Sequence, residues 1–253
     1  MNVHAIKTRK LLPPRDNLWE VLEQSLPRLQ EESVVAISSK VVSIGEGRCV
    51  RIDEVTDKDA LITQEADLYL ERKHMPGAWM HTISRGVLAP AAGVDASNGD
   101  AHYVLWPKDP MRSAAHLWRT LRQRDGIRRL GVILTDSRST PLRRGVTGYA
   151  LAHHGFRPLR DYRGTKDLFG RTIRISQSNL ADALAAAAVL VMGEGNEQTP
   201  LAVVTDVPGI RFTQRAPAPT EREFTSLEVP LEEDLYWPLM KRAPWKTPRR
   251  PKR

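Results

Sequence analysis

The sequence predicts a mixed α/β fold (α+β in its mixed order), with a mixed sheet, flanking helices and two intimate subdomains. Apolar runs of strand length alternate with segments of helical period along the chain. Its 253 residues can bury a full core, as one large domain or two intimate ones. No internal repeat points to a solenoid.

Taken in order, Asp16 is placed to cap a short helix carrying Leu18, Val21, Leu22 and Leu26 at helical spacing. The β-branched run SVVAISSKVVSI (33–44) reads as a strand, or as two strands broken at Ser38-Ser39. Residues 57–72 have a helical look, with Leu61, Leu68 and Leu70 among many charges. HTISRGVLAP (81–90) is strand-like, and a loop of small residues follows it. MRSAAHLWRTLRQR (111–124) predicts an amphipathic helix ending at Gly126. LGVILTD (130–136) predicts a buried strand, and RTIRISQ (171–177) alternates like a half-buried one. NLADALAAAAVLVMGEG (179–195) predicts a helix capped by Asn179 and stopped at Gly193. LAVVTDV (201–207) is a further short strand.

Composition narrows the function classes. The net charge is +8, but the last thirteen residues, KRAPWKTPRRPKR, hold seven of the positive charges and no acid. The body is therefore close to neutral, and nucleic-acid binding would rest on this basic tail alone. A Pro-rich basic stretch of this kind is expected to be disordered. The single cysteine, Cys49, rules out an internal disulfide and a Cys-based zinc cage. No apolar stretch approaches the roughly 20 residues of a membrane span, and the polar N-terminus does not read as a signal peptide. The expected location is the cytoplasm.

Three carboxylate loops lie beside apolar elements. AAGVDASNGD carries Asp95 and Asn98; LTDSRST carries Asp136 and Ser137; VMGEGNEQTP carries Glu194 between Gly193 and Gly195. Open α/β sheets bind ligands beyond the carboxyl ends of their strands. Carboxylates there suit hard divalent ions, and small neighbours let backbone approach phosphate. Each loop also fits a plain structural role, as an Asx-type turn, a cap or a helix stop. No Walker-type phosphate loop and no dinucleotide glycine fingerprint is present. His153-His154 is a poor metal pair, since neighbours on a strand point to opposite faces.

Read together, SSKVVSIGEGR, AGVDASN, GVILTDS, RRGVTGYA, DYRGTKDLFGR and ALAAAAVLVMGEG resemble the coenzyme F-420-0:L-glutamate ligase family of gamma-glutamyl ligases. These stretches run in the family's order from about residue 35 to 205. VLWPKDP, TPLRRGVTG and MGEGNEQTPLA look most like a bacterial branch described as folate-metabolism gamma-glutamate ligases. One departure is Ile44, which stands in SIGEG where the family has the lysine of SKAEG.

The resemblance implies a gamma-glutamyl ligase-like fold and a GTP- or ATP-dependent, Mg- or Mn-dependent enzyme. It would join L-glutamate to a carboxylate acceptor, folate-like or a deazaflavin, through an acyl phosphate. It implies Asp95, Asp136, Ser137 and Glu194 as metal ligands. Ser39, Lys40, Asn98, Gly193, Glu194 and Gly195 would meet the nucleotide, and the partner implied for the chain is a second copy in a homodimer. Arg143 and Arg144 are placed to steady transferred phosphate or a substrate carboxylate, since guanidinium forks fit both. Arg163 and Lys166 are available for an anionic acceptor in a polar run that could close over the site. The domain reading is a catalytic domain over 1–215, an extension over 216–240 and the basic tail over 241–253. The alternative function is a nucleotide-binding regulatory module without ligase activity.

Overall fold

In the computed structural model, which describes residues 1–75, 79–214 and 226–248, the chain divides into two units. Within the described residues, the first unit takes in Met1–Lys10, Asn17–Val42 and Asp109–Leu227. The second takes in Leu11–Asp16, Ser43–Lys108 and Glu228–Arg253.

The chain opens with β1 (Asn2–Ile6), α1 (Leu18–Ser25) and β2 (Ser33–Ser38). The cap of α1 is Asn17, whose side-chain oxygen accepts from the Glu20 amide at 3.2 Å. Asp16, expected in that role, instead accepts from the Leu12 amide. A cap must immediately precede the first helical residue, and Asp16 is one position too early. Beyond Ser38 the chain enters α2 (Ser39–Gly45) without a loop, so the second half of the 33–44 run is a helix and not a strand. Val41, Val42, Ser43 and Ile44 are all buried there, and burial overrides the β preference of the branched residues.

In the second unit, β3 (Cys49–Arg51) is followed by α3 (Lys58–Glu65), β4 (Leu68–Tyr69), β5 (His81–Ser84), β6 (Val87–Pro90) and β7 (His102–Val104). The helix expected over 57–72 stops at Glu65. Ala66 turns to extended backbone, and Leu68 and Tyr69 pair with Ile83 and Thr82 of β5. β4, β5 and β6 form an antiparallel sheet, and β3 pairs with β7. Ile62, Ala66, Met80, Ala92, Val94 and Leu105 make the core of this unit. Within the stretch read as a disordered tail, Lys246 bridges to Tyr69 and its ammonium meets the Glu71 carboxylate at 2.5 Å. Residues 249–253 lie outside the described residues.

The first unit resumes with α4 (Pro110–Asp125), β8 (Leu130–Ser139), β9 (Val146–His154), β10 (Leu159–Asp161), β11 (Gln177–Asn179), α5 (Leu180–Met192) and β12 (Leu201–Thr205). Asp109 caps α4, and Gly126 ends it in the left-handed conformation. Asn179 caps α5 by accepting from the Asp182 amide at 3.0 Å. The continuous strand expected over 171–177 is absent; Thr172 makes a single bridge with Lys166, and Gln177–Asn179 pairs with β10. Residues 162–176 are instead a long turn whose tip is held by Asp167, which accepts from the amides of Phe169 and Arg171.

A five-stranded mixed sheet, in the order β1-β12-β2-β8-β9, organises this unit. β2 and β8 are parallel; every other neighbour is antiparallel. Val34, Ala36 and Ile133 pack with Ala181, Ala185 and Ala188 of α5. Val35, Ile37, Val132 and Leu134 point the other way by the two-residue period and are equally buried, so both faces are covered.

Candidate functional site

The parallel pair sets up the site. Ser38 of β2 lies opposite Thr135 of β8, and there β2 ends. β2 runs into Ser39 and Lys40, and β8 runs into Asp136 and Ser137, so both carboxyl ends open at one edge of the sheet. Ligands bind preferentially at such an edge in α/β sheets. β8 continues through Ser139 paired with β9 alone, and this ribbon lifts Asp136 and Ser137 out of the core to half-burial. A mostly buried strand can carry a carboxylate near its end because β8 outlasts its parallel neighbour β2.

A helix closes the arrangement from the other side. Gly148, opposite Ser137, is where α5 lies directly on β9. A Cβ at Gly148 would stand 2.6 Å from the Val189 side chain and 2.7 Å from the Ala185 carbonyl oxygen. This close approach brings the turn after α5 to β8, where the Ser137 hydroxyl donates to Glu194 Oε1 at 2.5 Å. Gly193 has a φ of +80°, and a Cβ there would collide with the Glu197 carboxylate. Glu197 accepts from the Gly195 amide at 2.8 Å, and Thr199 donates to the Met192 carbonyl, so the turn is fixed from within. Asp136 accepts from the Ser137 amide at 2.8 Å.

The structure thus joins Ser137 with Glu194, and sets Ser39, Lys40 and Asp136 at the same strand ends. Arg143 and Arg144 lie on the exposed β8–β9 connection, and neither makes an ion pair with a described residue. Arg163 is committed to Asp161, with Nη2 2.6 Å from Oδ2, and this pairing holds the Asp161 carboxyl down at about 2. Lys166 donates to Thr172 at 2.7 Å. Asp95 and Asn98 belong to the second unit. Asp95 pairs with Val104 through its backbone, and its carboxylate accepts from the Ser97 amide and hydroxyl. Asn98 holds a left-handed φ of +52°. Ile44 is buried, so the position where the resemblance has a lysine carries core packing here.

Among the described residues no three His, Cys, Asp or Glu side chains form a ready cage for a metal ion. The Ser137 hydroxyl and the Glu194 carboxylate are hard oxygen donors of the kind an Mg or Mn ion takes; Asp136, the next residue along β8, projects from the other face of the strand. His153 and His154 are not part of this group. His153 faces the core beside Phe156, where burial pushes its pKa down to about 4; His154 packs edge-on against Trp118.

The surroundings of Asp136 on β8 hold an ion pair that the sequence reading missed. Arg138 lies two positions beyond Asp136 and reaches Asp182 in the first turn of α5, with Nη2 2.9 Å from Oδ2. Its guanidinium stands 5.0 Å from the centre of the Tyr149 ring. The available signal was the two-residue period of β8, which puts Asp136 and Arg138 on one face.

Comparison with known proteins adds to this geometry. A model of the family described as F420-0:Gamma-glutamyl ligase matches residues 6–206. The Coenzyme F420:L-glutamate ligase of Methanopyrus kandleri is 36% identical over 220 residues, which is 80% of this chain and 86% of the relative. The protein of the same name from Archaeoglobus fulgidus is 30% identical, over 81% of this chain and 87% of its own length. That of Methanosarcina barkeri is 31% identical, over 79% and 83%.

Proposed function

The chain belongs to the F420-0:gamma-glutamyl ligase family and is an amide-bond-forming ligase; from that premise we propose how it works and on what. It joins L-glutamate to a carboxylate of a coenzyme F420 precursor or a folate-like acceptor, at the expense of GTP or ATP and with Mg or Mn bound. The observation that carries this reading is the Ser137–Glu194 contact, which joins two oxygen donors from distant parts of the chain at the carboxyl end of the parallel strands.

A free carboxylate is a poor electrophile, so the acceptor must be activated. A carboxylate oxygen of the acceptor attacks the terminal phosphorus, the nucleoside diphosphate leaves, and an acyl phosphate results. The amine of glutamate then attacks the acyl carbon, phosphate leaves, and the nitrogen loses a proton. A divalent ion, when bound, neutralises charge on the triphosphate. In the first unit, the residues that would hold it are Asp136, Ser137 and Glu194. Within the first unit, Ser39, Lys40 and the Gly193–Gly195 turn would contact the nucleotide in this reading. Arg143 and Arg144, which have no carboxylate among the described residues, are open to transferred phosphate or a substrate carboxylate.

In this reading Arg163 and Lys166 exchange their bonds to Asp161 and Thr172 for the anionic acceptor, on the turn that also exposes Leu168 and Phe169 almost fully. Those exposed apolar side chains support a homodimer as well. No helix among the described residues is long and apolar enough to cross a membrane.

The test is calorimetric titration with ATP and GTP, with and without Mg or Mn, alongside Asp136→Asn. The proposal expects metal-dependent binding that the variant loses while its melting temperature holds. Equal nucleotide affinity in the variant removes Asp136 from the site.

A further inference from the structure

Arg138 is held more closely than a surface arginine needs to be. It lies on the part of β8 that has left the core, on the same face as Asp136. Tyr149, opposite Asp136 on β9, presents its ring to the guanidinium at 5.0 Å. β9 is the edge strand of the sheet, and Asp182 covers that edge. Asp182 Oδ1 accepts from the Ala150 amide at 2.9 Å, while Oδ2 accepts from Arg138 Nη2 at 2.9 Å and from Asn179 Nδ2 at 3.0 Å. The carboxylate is thus fixed by the edge strand and by the cap of α5 before it meets the arginine.

This leaves the guanidinium with a fixed direction and spare donors. Arginine carries five N–H groups, and Nη2 is the only nitrogen of Arg138 that meets an acceptor among the described residues. Its side chain keeps 36% of its exposure, so the guanidinium is not sealed from a ligand. An exposed ion pair contributes little to stability by itself. A guanidinium already oriented by an aromatic face and a carboxylate loses less freedom on binding an oxyanion than a mobile one.

We propose that Arg138 binds an oxyanion of the reaction, either a carboxylate of L-glutamate or a phosphate oxygen of the nucleotide, with Asp182 and Tyr149 as its positioning residues. The proposal rests on the ligase reading above and adds a substrate contact to it.

Calorimetric titration tests it with two probes, L-glutamate and the non-hydrolysable analogues of ATP and GTP in the presence of Mg. Arg138→Gln should weaken one probe about tenfold or more and leave the other within about twofold, at an unchanged melting temperature. Asp182→Asn keeps an amide oxygen for the Ala150 N–H but loses the charge that holds Arg138. It should weaken the same probe, and the double variant should bind no worse than Arg138→Gln alone. Unchanged affinity for both probes in Arg138→Gln overturns the proposal and leaves the ligase reading standing. Parallel weakening of both probes together with a lowered melting temperature assigns the pair to structure and also overturns it. A wild-type protein that binds neither probe overturns both readings.

Discussion

Ser137 on β8 and Glu194 in the turn after α5 are 57 positions apart in the chain and meet through a 2.5 Å hydrogen bond. The contact links the two acidic loops of the first unit into one group. Ser137→Ala removes the only donor of this bond. Nucleotide affinity in the presence of Mg should fall about tenfold, while stability changes by about 1 kcal/mol or less, because the bond is exposed. Paired calorimetry and thermal melts check this; a loss of stability without a loss of affinity would make the bond purely structural.

Gly148 controls how closely α5 approaches the strand that carries Ser137. A Cβ there would stand 2.6 Å from Val189 and 2.7 Å from the Ala185 carbonyl oxygen, and the latter cannot rotate away. Gly148→Ala should destabilise the protein by about 1–3 kcal/mol through overpacking. It should also weaken nucleotide binding, since Glu194 moves with the helix. Chemical denaturation gives the first effect and titration the second; full stability in the variant would mean that the helix can shift without cost.

Arg143 stands on the exposed β8–β9 connection with no ion-pair partner among the described residues. Arg143→Ala should therefore leave stability within about 0.5 kcal/mol. Turnover should fall about tenfold or more if the guanidinium steadies transferred phosphate. A variant with full turnover would remove Arg143 from the reaction.

Burial holds His153 neutral, with its pKa pushed down from 6.5 to about 4, and the charge of His154 adds in the same direction. The unfolded chain takes up the proton first as pH falls. His153 therefore imposes no penalty above about pH 6.5, and stability drops between pH 6.5 and 4 by up to about 3 kcal/mol. Denaturation curves at pH 7 and pH 5 should differ less in His153→Leu than in wild type. An equal difference in both would assign the pH dependence to other groups.

Much of the first unit was legible in the sequence, because local chemistry and burial agree there. LGVILTD and LAVVTDV are apolar enough to be strands, and α4 and α5 announce their ends through Gly126, Asn179 and Gly193. The helix over Ser39–Gly45 was hidden because its branched residues favour strands, and only burial on several sides makes them helical. Leu68 and Tyr69 were hidden behind the charged helix before them, since a two-residue strand is defined by its partner in β5 and not by its own pattern. At the site, Asp136 and Glu194 could be picked out singly by their loops. Their junction through Ser137 depends on the close contact at Gly148, which no spacing reveals. Asp182 was masked by its role in the first turn of α5, where an acidic residue needs no further reason.

In the proposed function the chain forms a gamma-glutamyl amide bond with nucleotide and metal at the carboxyl end of β8, where Asp136 lies next to Ser137 and its partner Glu194. The most direct measurement is mass spectrometry of a reaction holding the protein, Mg or Mn, GTP or ATP, L-glutamate and a deazaflavin F420 precursor or a folate as acceptor. The account predicts an acceptor heavier by one glutamyl residue, formed together with nucleoside diphosphate and phosphate, and absent with Asp136→Asn. Product formed without nucleotide, or formed equally by Asp136→Asn, would contradict it.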